Sequence, residues 1–144
     1  HSADYYRATY ELFTPSGNGT ILLAEYEGKP LAGVLLLKSG KQAVYLAGAS
    51  SNEERNRMPT YAIQWAAIQW AKSKGCTTYD LWGLPDEDAD TLEAEFGERK
   101  DGLWGVYRFK RGFNGQVSRT VGCVDKVYNK LVYRLYQRKR GNRT

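Results

Sequence analysis

Histidine and cysteine are nearly absent from this chain of 144 residues: the one histidine is His1, and the two cysteines are Cys76 and Cys123. No Cys-x-x-Cys spacing occurs, so a zinc site cannot be gathered from these types, and a histidine-based nucleophilic triad has no base. No metal is expected, and the cysteines are expected to be free, buried thiols. Long apolar runs are also missing: nothing approaches the ~18 consecutive apolar residues of a membrane span. The N-terminus has no basic region followed by an apolar stretch, and His1-Ser2 reads as an appended remnant, so no secretory leader is expected. The expected location is the cytoplasm, including the inner face of the membrane. Internal repeats and low-complexity segments are lacking as well.

What remains is an ordinary globular composition, 42% hydrophobic and 26% charged, of a length that buries one core; a single domain over residues 1–144 is expected. The formal charge of +5 favours anionic partners, and the excess is uneven. Lys126, Lys130, Arg134, Arg138, Lys139, Arg140 and Arg143 follow one another with no acid between them. Such a run is either a solvated helix face or a surface for RNA, nucleotide phosphate or an anionic membrane.

Hydrophobic spacing predicts a lead helix over residues 4–13, then an antiparallel meander of strands at 20–26, 31–37 and 42–47. The second strand is almost wholly apolar, as a strand covered on both faces should be. A helix over 59–73 opens on Pro59 and has only Gln64 and Gln69 as polar interruptions before Lys72, so burial on most sides is expected. A strand at 77–82, an acid-capped helix at 89–98 and a short helix within 102–111 follow, although the last pattern also suits a strand. A final strand at 116–124 and a basic helix at 126–140, capped by Asp125 and striped by Val127, Tyr128, Leu131, Val132 and Leu135, complete the chain. The expected fold class is α/β, a mixed, largely antiparallel sheet with a central buried helix and a basic C-terminal helix.

Residues 107–113, Tyr-Arg-Phe-Lys-Arg-Gly-Phe, hold the densest chemistry: aromatic surface, cations and a glycine for a change of direction. Phe109 and Phe113 as core residues among solvated cations is the plainer reading. Upstream, Tyr79-Asp80-Leu81-Trp82-Gly83 ends a strand where open α/β sheets place ligands, and Asp80 there can orient an amine or cap the next loop. Arg57 and Tyr61, four apart, share a face if the central helix starts early enough; otherwise Arg57 faces solvent and Tyr61 the core. The loop at 52–59 has no glycine, and Pro59 removes a donor, so it is a poor cradle for the pyrophosphate of coenzyme A. No cofactor is expected.

Phe-Lys-x-Gly-Phe placed some way after Tyr-Asp-x-x-Gly, and before a strand and a basic helix, resembles the C-terminal half of the FemABX peptidoglycan bridge-forming aminoacyltransferases, from about residue 5 to about residue 138. That resemblance implies a GNAT-like acyltransferase domain, the second of two in tandem, with the N-terminal one missing here. It implies transfer of an amino acid from aminoacyl-tRNA to the peptide amine of a lipid- or nucleotide-linked muramyl peptide. Lys110 would then offset charge on the reacting acyl group beside Phe109, Arg57 and Tyr61 would contact the precursor's phosphates, and Trp82 would line the substrate channel. Asp80 is grouped with the substrate-binding residues, and Arg134, Arg138 and Arg140 with tRNA capture. The general base is unassigned, and activity of this domain by itself is not expected. Two other readings stay open: a GNAT-like N-acyltransferase with another acyl donor, and a non-catalytic basic domain that binds RNA or another anion.

Overall fold

The computed structural model describes residues 1–122 and 124–141, with side chains to residue 138. It divides into two compact units, His1–Phe113 and Asn114–Thr144. In the first, α1 (Ala3–Phe13), β1 (Gly19–Tyr26), β2 (Lys29–Ser39), β3 (Gln42–Ser50), α2 (Pro59–Ser73), β4 (Thr78–Asp80), α3 (Ala89–Glu95) and α4 (Trp104–Arg111) succeed one another. A fifth helix, α5 (Lys130–Gly141), lies in the second unit.

The sheet order is β1-β2-β3-β4, antiparallel through β3 and parallel between β3 and β4. Gly19 opens β1 because a Cβ there would stand 2.9 Å from the Cβ of Phe13, where α1 turns into the sheet. β2 is buried from both sides, with Leu31, Ala32, Val34, Leu35 and Leu36 all inaccessible. One of its faces packs Ala32, Val34 and Leu36 against Ile63 and Ala67 of α2. The mixed sheet and its packed helix match the expected fold class.

Several elements differ from expectation. Helix α2 has the predicted bounds but buries only one stripe, Pro59, Ile63, Gln64, Ala67 and Ala71. Trp65, on the helix expected to be buried on most sides, is 60% exposed. Alanines 62 and 66 made the helix read as apolar all round, yet small side chains cost little at a surface. Strand β4 is shorter than expected, and Cys76 is a free thiol only partly buried; Cys123 lies outside the described residues. No strand forms over 116–122: a strand needs a partner edge, and Val117 and Val121 offer little apolar area to recruit one. The basic helix starts at Lys130, later than expected. Its cap is Asn129, whose Oδ1 accepts from the amides of Leu131 and Val132 at 3.0 and 3.2 Å, whereas Asp125 accepts from the Tyr133 hydroxyl at 2.7 Å.

Candidate functional site

Strand β4 pairs with β3 only at Gln42, Ala43 and Val44, and the chain leaves the sheet after Asp80. From Tyr45 to Ser50, β3 therefore has no partner strand on that side among the described residues, and the sheet splays at the carboxyl ends of its parallel pair. Beneath the first turns of α2 at this end is a cleft of about 100 Å³, walled by Val34, Gly48, Thr60, Ile63, Gln64 and Phe109. Gly48 is required there: a Cβ would fall 2.0 Å from the Tyr45 hydroxyl, whose ring crosses the strand. Gln64, 1% exposed, accepts from the Tyr79 hydroxyl at 2.7 Å and also hydrogen-bonds Tyr45. Burial pushes both phenols above their ordinary range. In the sequence Gln64 reads as a polar interruption of a core helix; its burial was legible only once Tyr79 was known to face it.

The aromatic motif closes over the start of α2. Tyr61 meets Phe109 edge-on at 4.8 Å and stacks on Phe113 at 5.6 Å, with the two phenylalanines 5.5 Å apart. Phe109 and Tyr61 are thus brought together, and Phe109 lines the cleft, while Tyr61 forms the outer wall of the cluster.

Of the three cations on α4, Lys110 alone turns to the β4 loop. Its Nζ donates to the Gly83 carbonyl at 2.7 Å, and the residue is 8% exposed. Burial holds the ammonium below its ordinary range, and the charge of Asp80 partly opposes that shift. Asp80 caps the loop: Oδ1 accepts from the Trp82 amide at 2.7 Å and Oδ2 from Gln42 at 3.3 Å. Trp82 takes the left-handed conformation, φ 67°, and holds its indole out to solvent. Phe-Lys-x-Gly-Phe and Tyr-Asp-x-x-Gly therefore meet in space, although neither Lys110 nor Trp82 lines the cleft.

The other two cations are structural. Arg108 donates to the carbonyls of Phe96 and Gly97, closing the end of α3. Arg111 pairs with Glu93 at 2.7 Å and lies over the Phe96 ring, and the Tyr107 hydroxyl donates to the same carboxylate at 2.5 Å.

Arg57 and Tyr61 are not brought to one helix face. Arg57 belongs to a separate 3-10 turn, Arg55–Arg57, and Met58 at φ 52° reverses the backbone before Pro59 starts α2. The guanidinium pairs with Glu54 at 2.8 Å and lies 3.5 Å over the Tyr26 ring. The amides of Arg57 and Met58 bond to Glu54 and Arg55, and those of Tyr61 and Ala62 both bond to the Met58 carbonyl. Few donors are left at this helix end to face a phosphate. Arg134 and Arg138 are exposed on α5; the side chain of Arg140 lies outside the described residues.

A splayed mixed sheet with one helix packed beside the opening is the GNAT-like acyltransferase architecture. Among solved structures, the aminoglycoside 6'-N-acetyltransferase AAC(6')-IG from Acinetobacter haemolyticus superposes with a TM-score of 0.59 at 14% identity, covering 90% of this chain and 84% of that one. The sequence then narrows the class: residues 17–139 match the FemAB family, and the chain belongs to that family. It is 36% identical over 114 residues to the lipid II:glycine glycyltransferase of Staphylococcus saprophyticus, covering 77% of this chain and 25% of that protein. The enzyme of the same name from Staphylococcus aureus strain USA300 is 36% identical over 111 residues, 77% of this chain and 24% of that one. The chain thus spans about a quarter of the length of these relatives.

Proposed function

We propose that this chain is the C-terminal acyl-transfer domain of an enzyme that joins an amino acid, carried as an ester on tRNA, to the peptide amine of a lipid- or nucleotide-linked muramyl peptide. An N-terminal GNAT-like domain would complete the precursor cleft. The observation that carries the reading is the meeting of Lys110 with the Asp80–Gly83 loop at the splayed end of the sheet, with Phe109 forming the adjoining cleft wall. Names of the relatives at 36% identity supply the substrate class, a lipid-linked precursor and a glycyl group.

In this chemistry the amine attacks the ester carbonyl, the new C–N bond forms, and the bond to the ribose oxygen breaks. The amine's proton goes to the departing oxygen. Lys110, held on Gly83 behind the cleft that Phe109 walls, would offset the developing oxyanion by its fixed charge. The family resemblance and the scarcity of free amides before α2 both weigh against coenzyme A as donor.

The test follows labelled glycine from glycyl-tRNA into a lipid-linked muramyl pentapeptide, with the chain joined to its N-terminal partner domain. Transfer that needs Lys110 and ignores acetyl-CoA supports the reading. Micromolar acetyl-CoA binding in calorimetry, competed by free coenzyme A, would replace it with an N-acetyltransferase, the alternative that the solved acetyltransferases favour.

A further inference from the structure

The segment Asn114–Thr144 carries eight lysines and arginines against a single acid, Asp125. That acid is already engaged by the Tyr133 hydroxyl. Successive residues of α5 are about 100° apart, so over residues 130–138 Leu131, Leu135, Val132 and Tyr136 occupy one arc of about 140°, and Lys130, Arg134 and Arg138 a separate arc of about 80°. Within its own unit the apolar arc is not packed: Leu131 is 70% exposed, Val132 61% and Leu135 59%. Tyr128, also exposed, lies beside it in the turn that leads into the helix, with the Lys126 ammonium 5.1 Å over its ring.

From this segregation we infer that α5 is a binding surface for an anionic membrane, lying in the plane of the headgroups with Leu131, Val132 and Leu135 inserted. Charge by itself suits a phosphate polymer or a lipid headgroup equally. The apolar arc separates them. RNA is held through cations and polar groups on its phosphates, and leucines exposed beside those cations add nothing to such contacts. A lipid interface uses both faces of the helix: the basic arc meets the headgroups, the leucines enter the acyl boundary, and tyrosines sit at the level between. No helix among the described residues is long and apolar enough to cross the membrane, so the helix would lie on the surface.

Sedimentation of the chain with mixed phosphatidylglycerol–phosphatidylcholine vesicles, and with pure phosphatidylcholine vesicles, tests it. Binding is expected to the anionic vesicles and to weaken with added salt. Leu131→Gln with Leu135→Gln, which leaves the charge unchanged, is expected to reduce vesicle binding about tenfold or more while leaving any tRNA binding as it was. Arg134→Gln with Arg138→Gln is expected to weaken vesicle binding and flatten its salt dependence. Circular dichroism reports whether each variant keeps its helix. Failure to bind anionic vesicles, binding of tRNA alone, or full vesicle binding by the double leucine variant with α5 intact would each overturn the inference.

Discussion

The Lys110 ammonium donates to the Gly83 carbonyl across 27 residues of chain, at 2.7 Å. This bond fixes the loop that Asp80 caps from its other end, so the cation is both a charge near the sheet opening and an anchor for the backbone beside it. Removing it does two things. Lys110→Ala removes the charged hydrogen bond that holds the Gly83 carbonyl, at a cost of about 1.5–3 kcal/mol in folding stability. On the proposed chemistry it also lowers turnover roughly ten- to a thousandfold, by analogy with the loss of one oxyanion donor. Lys110→Arg separates the two roles, because it keeps the charge but not the reach of the lysine. Full turnover by Lys110→Ala at saturating donor would make the residue an anchor only.

Gln64 and Tyr79 form the second buried polar contact, at 2.7 Å. Tyr79→Phe removes one hydroxyl and is expected to cost about 0.5–1.5 kcal/mol. Gln64→Leu should cost more, since it strands the hydroxyls of both Tyr79 and Tyr45 under the helix. In a double-mutant cycle the two changes should be strongly non-additive, and additive urea-unfolding energies would mean that the contact does not form.

How much of this was legible in the sequence depends on what each residue's neighbours are. The meander and the bounds of α2 follow from local apolar spacing and from Pro59, signals carried within one segment, whereas the pattern at Trp104–Arg111 suited a strand as well as the helix that forms. The joining of Lys110 to the β4 loop was not legible in the sequence, because no local pattern specifies a partner 27 residues away. Burial of Gln64 and exposure of Trp65 ran against residue type, since each was settled by which side of α2 the sheet occupies. No strand forms over 116–122 for a related reason: alternation describes a willing strand, but a ladder needs a second edge.

That geometry of α2 gives a direct contrast. Trp65, 60% exposed, should tolerate alanine within about 0.5 kcal/mol, whereas Leu36, fully buried between the sheet and α2, should lose about 2–5 kcal/mol on the same change. Urea midpoints of the two variants measure both. A Trp65→Ala loss as large as that of Leu36→Ala would put the indole in a core, contrary to the fold described.

Glu93 makes the stability of the α3–α4 pair depend on pH. The hydrogen bonds from Arg111, and next the one from Tyr107, hold its carboxyl below the ordinary value of 4.5. A carboxyl whose pKa is lower in the folded than in the unfolded chain binds its proton less readily when folded. Its contribution is therefore present above the ordinary value and is lost as pH falls through the depressed one. Burial, and then the hydrogen bond to Glu93, push the Tyr107 phenol up to about 12, so the tyrosine stays a neutral donor throughout this acid range. Glu93→Gln should lower the melting temperature at neutral pH and make the acid-side decline shallower, with the remaining slope supplied by Asp88 and Asp101, whose carboxyls are also held low. Melting curves from neutral pH down past the ordinary carboxyl range measure the difference. An acid decline as steep in Glu93→Gln as in the parent chain would show that Arg111 and Tyr107 do not favour the ionised carboxylate in the folded state.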